Sequence, residues 1–89
     1  MQYEWDETKR QINIEKHAFD FVDMEFFNWE DAHVFEDVRH KYEELRFIAY
    51  GYIRARLVVV VYTMRGDAVR VISLRKANKR EVIQYEKQN

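Results

Sequence analysis

The sequence predicts an α+β domain, a small antiparallel sheet with two helices before it and one after it. Three observations predict it. Three stretches rich in β-branched and aromatic residues, Leu45 to Ile53, Arg56 to Met64 and Ala68 to Arg75, follow one another across short breaks at Arg54-Ala55 and Arg65-Gly66-Asp67, as in an antiparallel meander. Segments with helical spacing stand on either side of this meander. The run Val58, Val59, Val60, Val61 is apolar on both faces, so its strand is central and needs a covering layer on each side.

Taken in order, Tyr3 to Trp5 has the make-up of a short strand, and Asp6 is a good N-cap for a helix reaching about Lys16 or His17. In Phe19 to Phe27 and just beyond, Val22, Phe26 and Trp29 stand four and three residues apart, which predicts a short amphipathic helix packed on the core. Ala32 to Val38 is strand-like, and Arg39 to Glu44 is a polar loop. After the meander, Asn78 opens a final helix running to about Lys87. Glu81 stands three residues on, the spacing of a capping box, and Val82 and Tyr85 face inward.

The chain has 89 residues, enough for one domain over 1–89. Its 47% hydrophobic and 35% charged residues are a globular balance, which excludes a disordered chain. The absence of cysteine excludes disulfides, thiolate metal sites and cysteine nucleophiles. His17, His33 and His40 lack close ligand spacing, so neither a metal nor a cofactor is expected. No apolar run spans a bilayer, and Met1 to Asp6 lacks a signal pattern, so the expected location is the cytoplasm.

Charge is distributed unevenly. Residues 1–37 hold 3 Lys and Arg against 11 Asp and Glu, a net of -8, while residues 38–89 hold 12 against 5, a net of +7. Attraction between the two halves accounts for such a split, and so does a basic surface built for a polyanion. The sharper anomaly is at the entry to the last helix, where Arg75, Lys76, Lys79 and Arg80 crowd an end that already carries positive dipole charge. The dipole favours acids there by roughly 0.3–1 kcal/mol each, so these cations need an offset. A phosphate held by backbone N–H groups and guanidinium forks provides one, and pairing with Glu81 provides another.

Along the meander, Arg56, Arg65, Arg70 and Arg75 alternate with Tyr50, Tyr52 and Tyr62. Such a mixture suits RNA, whose unpaired bases stack on rings while guanidiniums hold the backbone, although an exposed sheet face has a similar composition. Lys9, Asn13, Lys16 and His17 share one stripe of the first helix, ordinarily its wet side. His17 lies near the C-terminus of that helix, where the dipole favours the imidazolium. Glu43 and Glu44, just before the basic strands, are the carboxylates best placed to act as a base, with a salt bridge to Arg46 as the alternative.

These residues fall in an order that resembles the BrnT family, the toxin half of a bacterial type II toxin-antitoxin system. The resemblance rests on Tyr-Glu-Trp-Asp at 3–6, then Lys9, Asn13, Lys16, His17, Glu44, Arg46, Gly51, Arg56-Leu57 and Val60-Val61-Tyr62-Thr63. It closes with Arg65-Gly66, Arg70, Ile72-Ser73, Arg75, Ala77, Arg80-Glu81 and Tyr85. Ala18 and Ala55 stand where the family has glycines, and Leu74 where alanine is common.

The resemblance implies a RelE-like ribonuclease fold and RNA cleavage that arrests growth. It also implies neutralisation by a BrnA-type antitoxin whose DNA-binding region, of the ribbon-helix-helix kind, brings the complex to operator DNA. The mechanism expected is a metal-independent endoribonuclease in which Arg75, Arg80 and Arg65 hold the scissile phosphate and Glu44 or His17 moves the proton. Arg56, Arg70, Lys76, Lys79 and Tyr62 would bind the rest of the RNA. The rival expectation is a non-catalytic basic module that docks an acidic protein partner or the operator complex.

Overall fold

The computed structural model describes residues 1–88. Its elements in order are β1 (Gln2–Glu4), α1 (Glu7–His17), a 3₁₀ helix (Phe21–Phe26), β2 (His33–Glu36), β3 (Phe47–Ile53), β4 (Arg56–Arg65), β5 (Ala68–Lys76) and α2 (Lys79–Lys87). The strands form one sheet in the order β1-β5-β4-β3-β2. The meander β3-β4-β5 is antiparallel as expected, and β2 joins it antiparallel. β1, however, runs parallel to β5, with Tyr3 opposite Val69, so the sheet is mixed rather than antiparallel. A strand of three residues has too few alternating positions to declare a partner, and its partner lies at the far end of the chain.

The second predicted helix is corrected as well. Residues 21–26 wind as 3₁₀, with the Asp20 side chain accepting from the Val22 N–H. At three residues per turn, the buried positions recur every third residue. Phe21, Met24 and Phe27 are therefore enclosed, while Val22 and Phe26, expected inside, are 44% and 47% exposed. α1 starts where expected, on Asp6 accepting from the Lys9 N–H at 3.0 Å. It ends at Ala18, which adopts the left-handed conformation at φ 61° that a glycine takes without strain.

Alternation along β4 sends Val58, Val60 and Tyr62 to one face and Leu57 and Val59 to the other. The 3₁₀ helix covers the first face through Phe21, Met24 and its cap Phe27, with Val69, Val71 and Leu74 from β5, while α1 lies along β5. α2 covers part of the second through Val82 and Tyr85, which meet Leu57, Val59 and Ala77. The doubly apolar valine run thus lies between two layers, as its sequence requires. On the first face Gly51 makes room for Phe27, because a Cβ there would stand 2.6 Å from the ring.

Asn13 departs from the wet-side reading of its stripe. It is buried, and its amide donates to the Phe19 and Leu74 carbonyls at 2.9 and 2.8 Å while accepting from the Leu74 N–H at 3.1 Å. It acts as a one-residue strand substitute along β5 beyond the end of β1, satisfying backbone groups that would otherwise be enclosed unpaired.

Candidate functional site

The second sheet face is only half covered, and its register fixes what lies there. Arg75 pairs across to Val59 and Val59 to Tyr50, placing Arg75 and Tyr50 on the face that α2 begins to cover. The cations at the start of α2 are answered in part from within. Arg75 makes a fork with Glu81, Nη1 to Oε1 at 2.8 Å and Nη2 to Oε2 at 2.9 Å. Oε1 also accepts the Asn78 N–H at 2.8 Å, and the Asn78 side chain accepts the Glu81 N–H at 2.8 Å, completing the capping box.

One carboxylate thus caps α2 and fixes the plane of Arg75. The pair holds the Glu81 carboxyl below and the Arg75 guanidinium above their ordinary values. Among the described residues no carboxylate lies within 4.0 Å of Lys76, Lys79 or Arg80, so the helix entry keeps an excess of positive charge. Beside it a groove of about 370 Å³ opens between α2 and the β2-β3 edge, lined by Arg80, Glu81, Tyr50, Phe35, Ile48 and Tyr85.

His17 sits at the end of α1, close enough to Arg75 to feel its charge. Partial burial, then Lys16, then Arg75 push its imidazole below the ordinary histidine value. Desolvation and two neighbouring cations act against the imidazolium that the helix dipole was expected to favour. A neutral imidazole is the form that accepts a proton.

The other expected residues divide among three places. Arg65 and Glu44 approach each other at 4.0 Å, so the partner of Glu44 is Arg65 rather than Arg46. Arg65 pairs with Ala68 at the β4-β5 turn, six residues along β4 from the Val59 position opposite Arg75, roughly 20 Å away. Arg70 stands between them opposite Thr63, on the same face as Arg75, and donates to Glu4 at 2.7 Å. Arg56 lies on the opposite face, 6.0 Å from the Phe19 ring centroid, and alternation sends exposed Lys76 to that face too. Tyr62 is inside the core of that face between Trp29 and Phe47, and burial raises its hydroxyl above the ordinary tyrosine value.

A group of residues on the loop before β3 was missed. The Asp37 carboxylate is fully enclosed and accepts from Arg39 Nε and Nη2, both at 2.8 Å, and from the Tyr42 hydroxyl at 3.2 Å. These hydrogen bonds hold its carboxyl far below the usual range. The Arg46 guanidinium lies 4.2 Å from the Tyr42 ring centroid. The available signal was the arginine and tyrosine alternation of the strands, which continues back into this loop.

No helix among the described residues is long and apolar enough to cross a membrane. Residues 5–81 match a family model described as the ribonuclease toxin, BrnT, of type II toxin-antitoxin system. None of the curated proteins searched matches the chain.

Proposed function

The chain belongs to the BrnT family, ribonuclease toxins of type II toxin-antitoxin systems, and from that premise we propose that the half-covered sheet face carries the chemistry, with Arg75 at its centre. The family decides between the two expectations drawn from the sequence, and the non-catalytic module is set aside. Its target is RNA and its partner an antitoxin.

The observation that carries the proposal is the Arg75–Glu81 fork at the start of α2, with Arg80 beside it. A guanidinium already held in one orientation costs little to reorganise when charge builds on a phosphate, which is the condition for electrostatic catalysis. In the proposed reaction the RNA 2′-oxygen forms a bond to the adjacent phosphorus. The bond to the 5′-oxygen breaks, leaving a 2′,3′-cyclic phosphate and a 5′-hydroxyl end. The 2′-hydroxyl proton passes to a base and the leaving oxygen takes up a proton. Arg75 and Arg80 hold the phosphate oxygens, Arg70 and Lys79 the flanking backbone, and no metal is needed because guanidiniums supply the positive charge.

Of the two proton carriers, His17 shares the neighbourhood of Arg75, and its depressed pKa suits a base at neutral pH. Glu44, with Arg65, stands at the far end of the face. We assign the base to His17, one helical turn beyond the Asn13 amide that bonds the Leu74 backbone at the edge of β5 next to Arg75, and leave Arg56, Lys76 and Tyr62 outside the site because they lie on the other face. The α+β layering supports a RelE-like assignment, and the family supports a BrnA-type antitoxin with a ribbon-helix-helix region that leads the complex to its operator.

The test is expression of the protein alone. Arg75→Ala and Arg80→Ala should each relieve growth arrest and slow RNA cleavage, and unchanged arrest and cleavage in both would refute the proposed mechanism.

A further inference from the structure

Arg46 is the described arginine whose setting the proposed reaction leaves unexplained. It stands one residue before the Phe47–Tyr62 pair that opens β3, and alternation from Phe47, which packs on the closed face, puts Arg46 on the open one. It is half-buried, yet among the described residues no carboxylate lies within 4.0 Å of it. Its Nε is enclosed with no hydrogen-bond partner. A partly desolvated cation that no carboxylate answers favours an anion from outside the chain, which its terminal Nη groups, not the enclosed Nε, would meet.

The surroundings of Arg46 are built to hold it there. The Thr63 hydroxyl donates to the Leu45 carbonyl at 2.6 Å, and the Asp37 N–H donates to the Arg46 carbonyl at 2.7 Å, pinning the backbone on both sides. Asp37 also holds the Tyr42 hydroxyl, and the Tyr42 ring supports the guanidinium. Buried Asp37 thus organises the platform from beneath while its own charge is answered by Arg39. Across the sheet, Thr63 pairs with Arg70, so Arg46 and Arg70 flank Thr63 on the same face. Glu36, Asp37, Glu43 and Glu44 line the same hollow as Arg46, and Glu4 lies at Arg70; of these, Asp37 is engaged by Arg39, Glu44 by Arg65 and Glu4 by Arg70.

We propose that Arg46, with Arg70 beside it, is a second phosphate subsite for single-stranded RNA, separate from the Arg75 site. Arg70 lies opposite Thr63 and Arg75 opposite Val59, four residues apart on β4, roughly 13 Å. A strand touching both subsites runs along β4 over a floor of Ile48, Val61 and Ser73, which join β3, β4 and β5 in one row between them. The proposal rests on the reading that RNA occupies this face. It adds a direction for the strand and a binding residue remote from the bond that breaks.

The probe is a short 2′-O-methyl oligoribonucleotide, which lacks the attacking hydroxyl and is not cut. Its affinity is measured across a salt series for the unaltered protein, Arg46→Gln, Arg75→Ala and, as the opposite-face control, Arg56→Ala. Loss of one phosphate contact should lower affinity roughly tenfold and reduce the slope of log K against log salt by about 0.7. Arg46→Gln is expected to do both and Arg56→Ala neither, and urea unfolding verifies that each variant is folded. If Arg46→Gln unfolds the protein, Arg46→Met, which keeps the apolar stem and removes the charge, takes its place and should lower both quantities in the same way. If Arg46→Gln changes neither quantity while Arg75→Ala changes both, the second subsite is wrong and the face stands. If neither variant changes anything, the reading of the face fails. A weakened affinity with an unchanged slope makes Arg46 a packing residue and overturns the proposal.

Discussion

The two faces of one sheet are built differently in this small protein. The face under the 3₁₀ helix is closed, with Phe21, Met24, Val58, Val60 and Leu74 at 0% exposure. The face under α2 is half open, and its polar half carries guanidiniums held by carboxylates or rings, Arg75 by Glu81, Arg70 by Glu4 and Arg46 by Tyr42. A closed face stabilises by taking apolar surface from water; an open one that holds several cations spends stability on order. The difference teaches that a sheet of this size can place the larger part of its core on one side and, with only the smaller cluster of Leu57, Val59, Ala77 and Tyr85 on the other, leave that side room for charge.

Substitutions on the two faces should therefore fail in different ways. On the closed face, Phe21→Ala removes a fully enclosed ring and should cost about 3–5 kcal/mol in urea unfolding, a large part of the 5–15 kcal/mol typical of such domains. A loss under about 1 kcal/mol would mean that this side is not the core. On the open face, Arg75→Ala should slow RNA cleavage by roughly 10²–10³-fold, as removal of a preorganised charge donor does, while shifting unfolding by no more than about 1 kcal/mol. Glu81 keeps its place in that variant because it still caps α2.

His17→Gln should reduce cleavage by about a hundredfold or more. In the unaltered protein the rate should fall on the acid side with a midpoint below about 6.5, because the imidazole must be neutral to accept the proton and its pKa is depressed. A rate that is flat through this range would point to Glu44 instead.

Asp37 gives a smaller effect, seen in stability rather than rate. Its carboxyl is held below the usual range in the folded chain, so the unfolded chain binds its proton first as pH drops. Its contribution is complete above about pH 4 and lost on acidification toward the folded value, and Asp37→Asn should flatten the acid limb of the stability curve. The smallest expected change is Ala18→Gly. Relief of the left-handed strain at φ 61° should stabilise the chain by about 0.5–1 kcal/mol, measured by the unfolding midpoint.

Much of the layering was legible because it follows from local periods. The valine run declared both faces of β4, and Asn78 with Glu81 declared the start of α2. What was hidden depends on partners distant in sequence. β1 joins β5 in parallel, and Asn13 looks solvent-facing until Leu74 is placed beside it. The spacing of Val22, Phe26 and Trp29 suggested an α-helix, whereas Phe21, Met24 and Phe27 carried the tighter period.

At the site, Glu81 was visible both as a cap and as a partner for the basic cluster. Its fork with Arg75 in particular needed the end of β5 to meet the start of α2. The sequence could list arginines but not say which share a face, and Arg56 and Tyr62 belong to the other one.

The most direct test of the open face is to identify the RNA ends made by the purified protein and its variants. The account predicts 2′,3′-cyclic phosphate ends from the unaltered protein and from Arg56→Ala, and almost none from Arg75→Ala at equal folded concentration. Cyclic ends produced at full rate by Arg75→Ala, or lost in Arg56→Ala instead, would put the chemistry on the wrong side of the sheet.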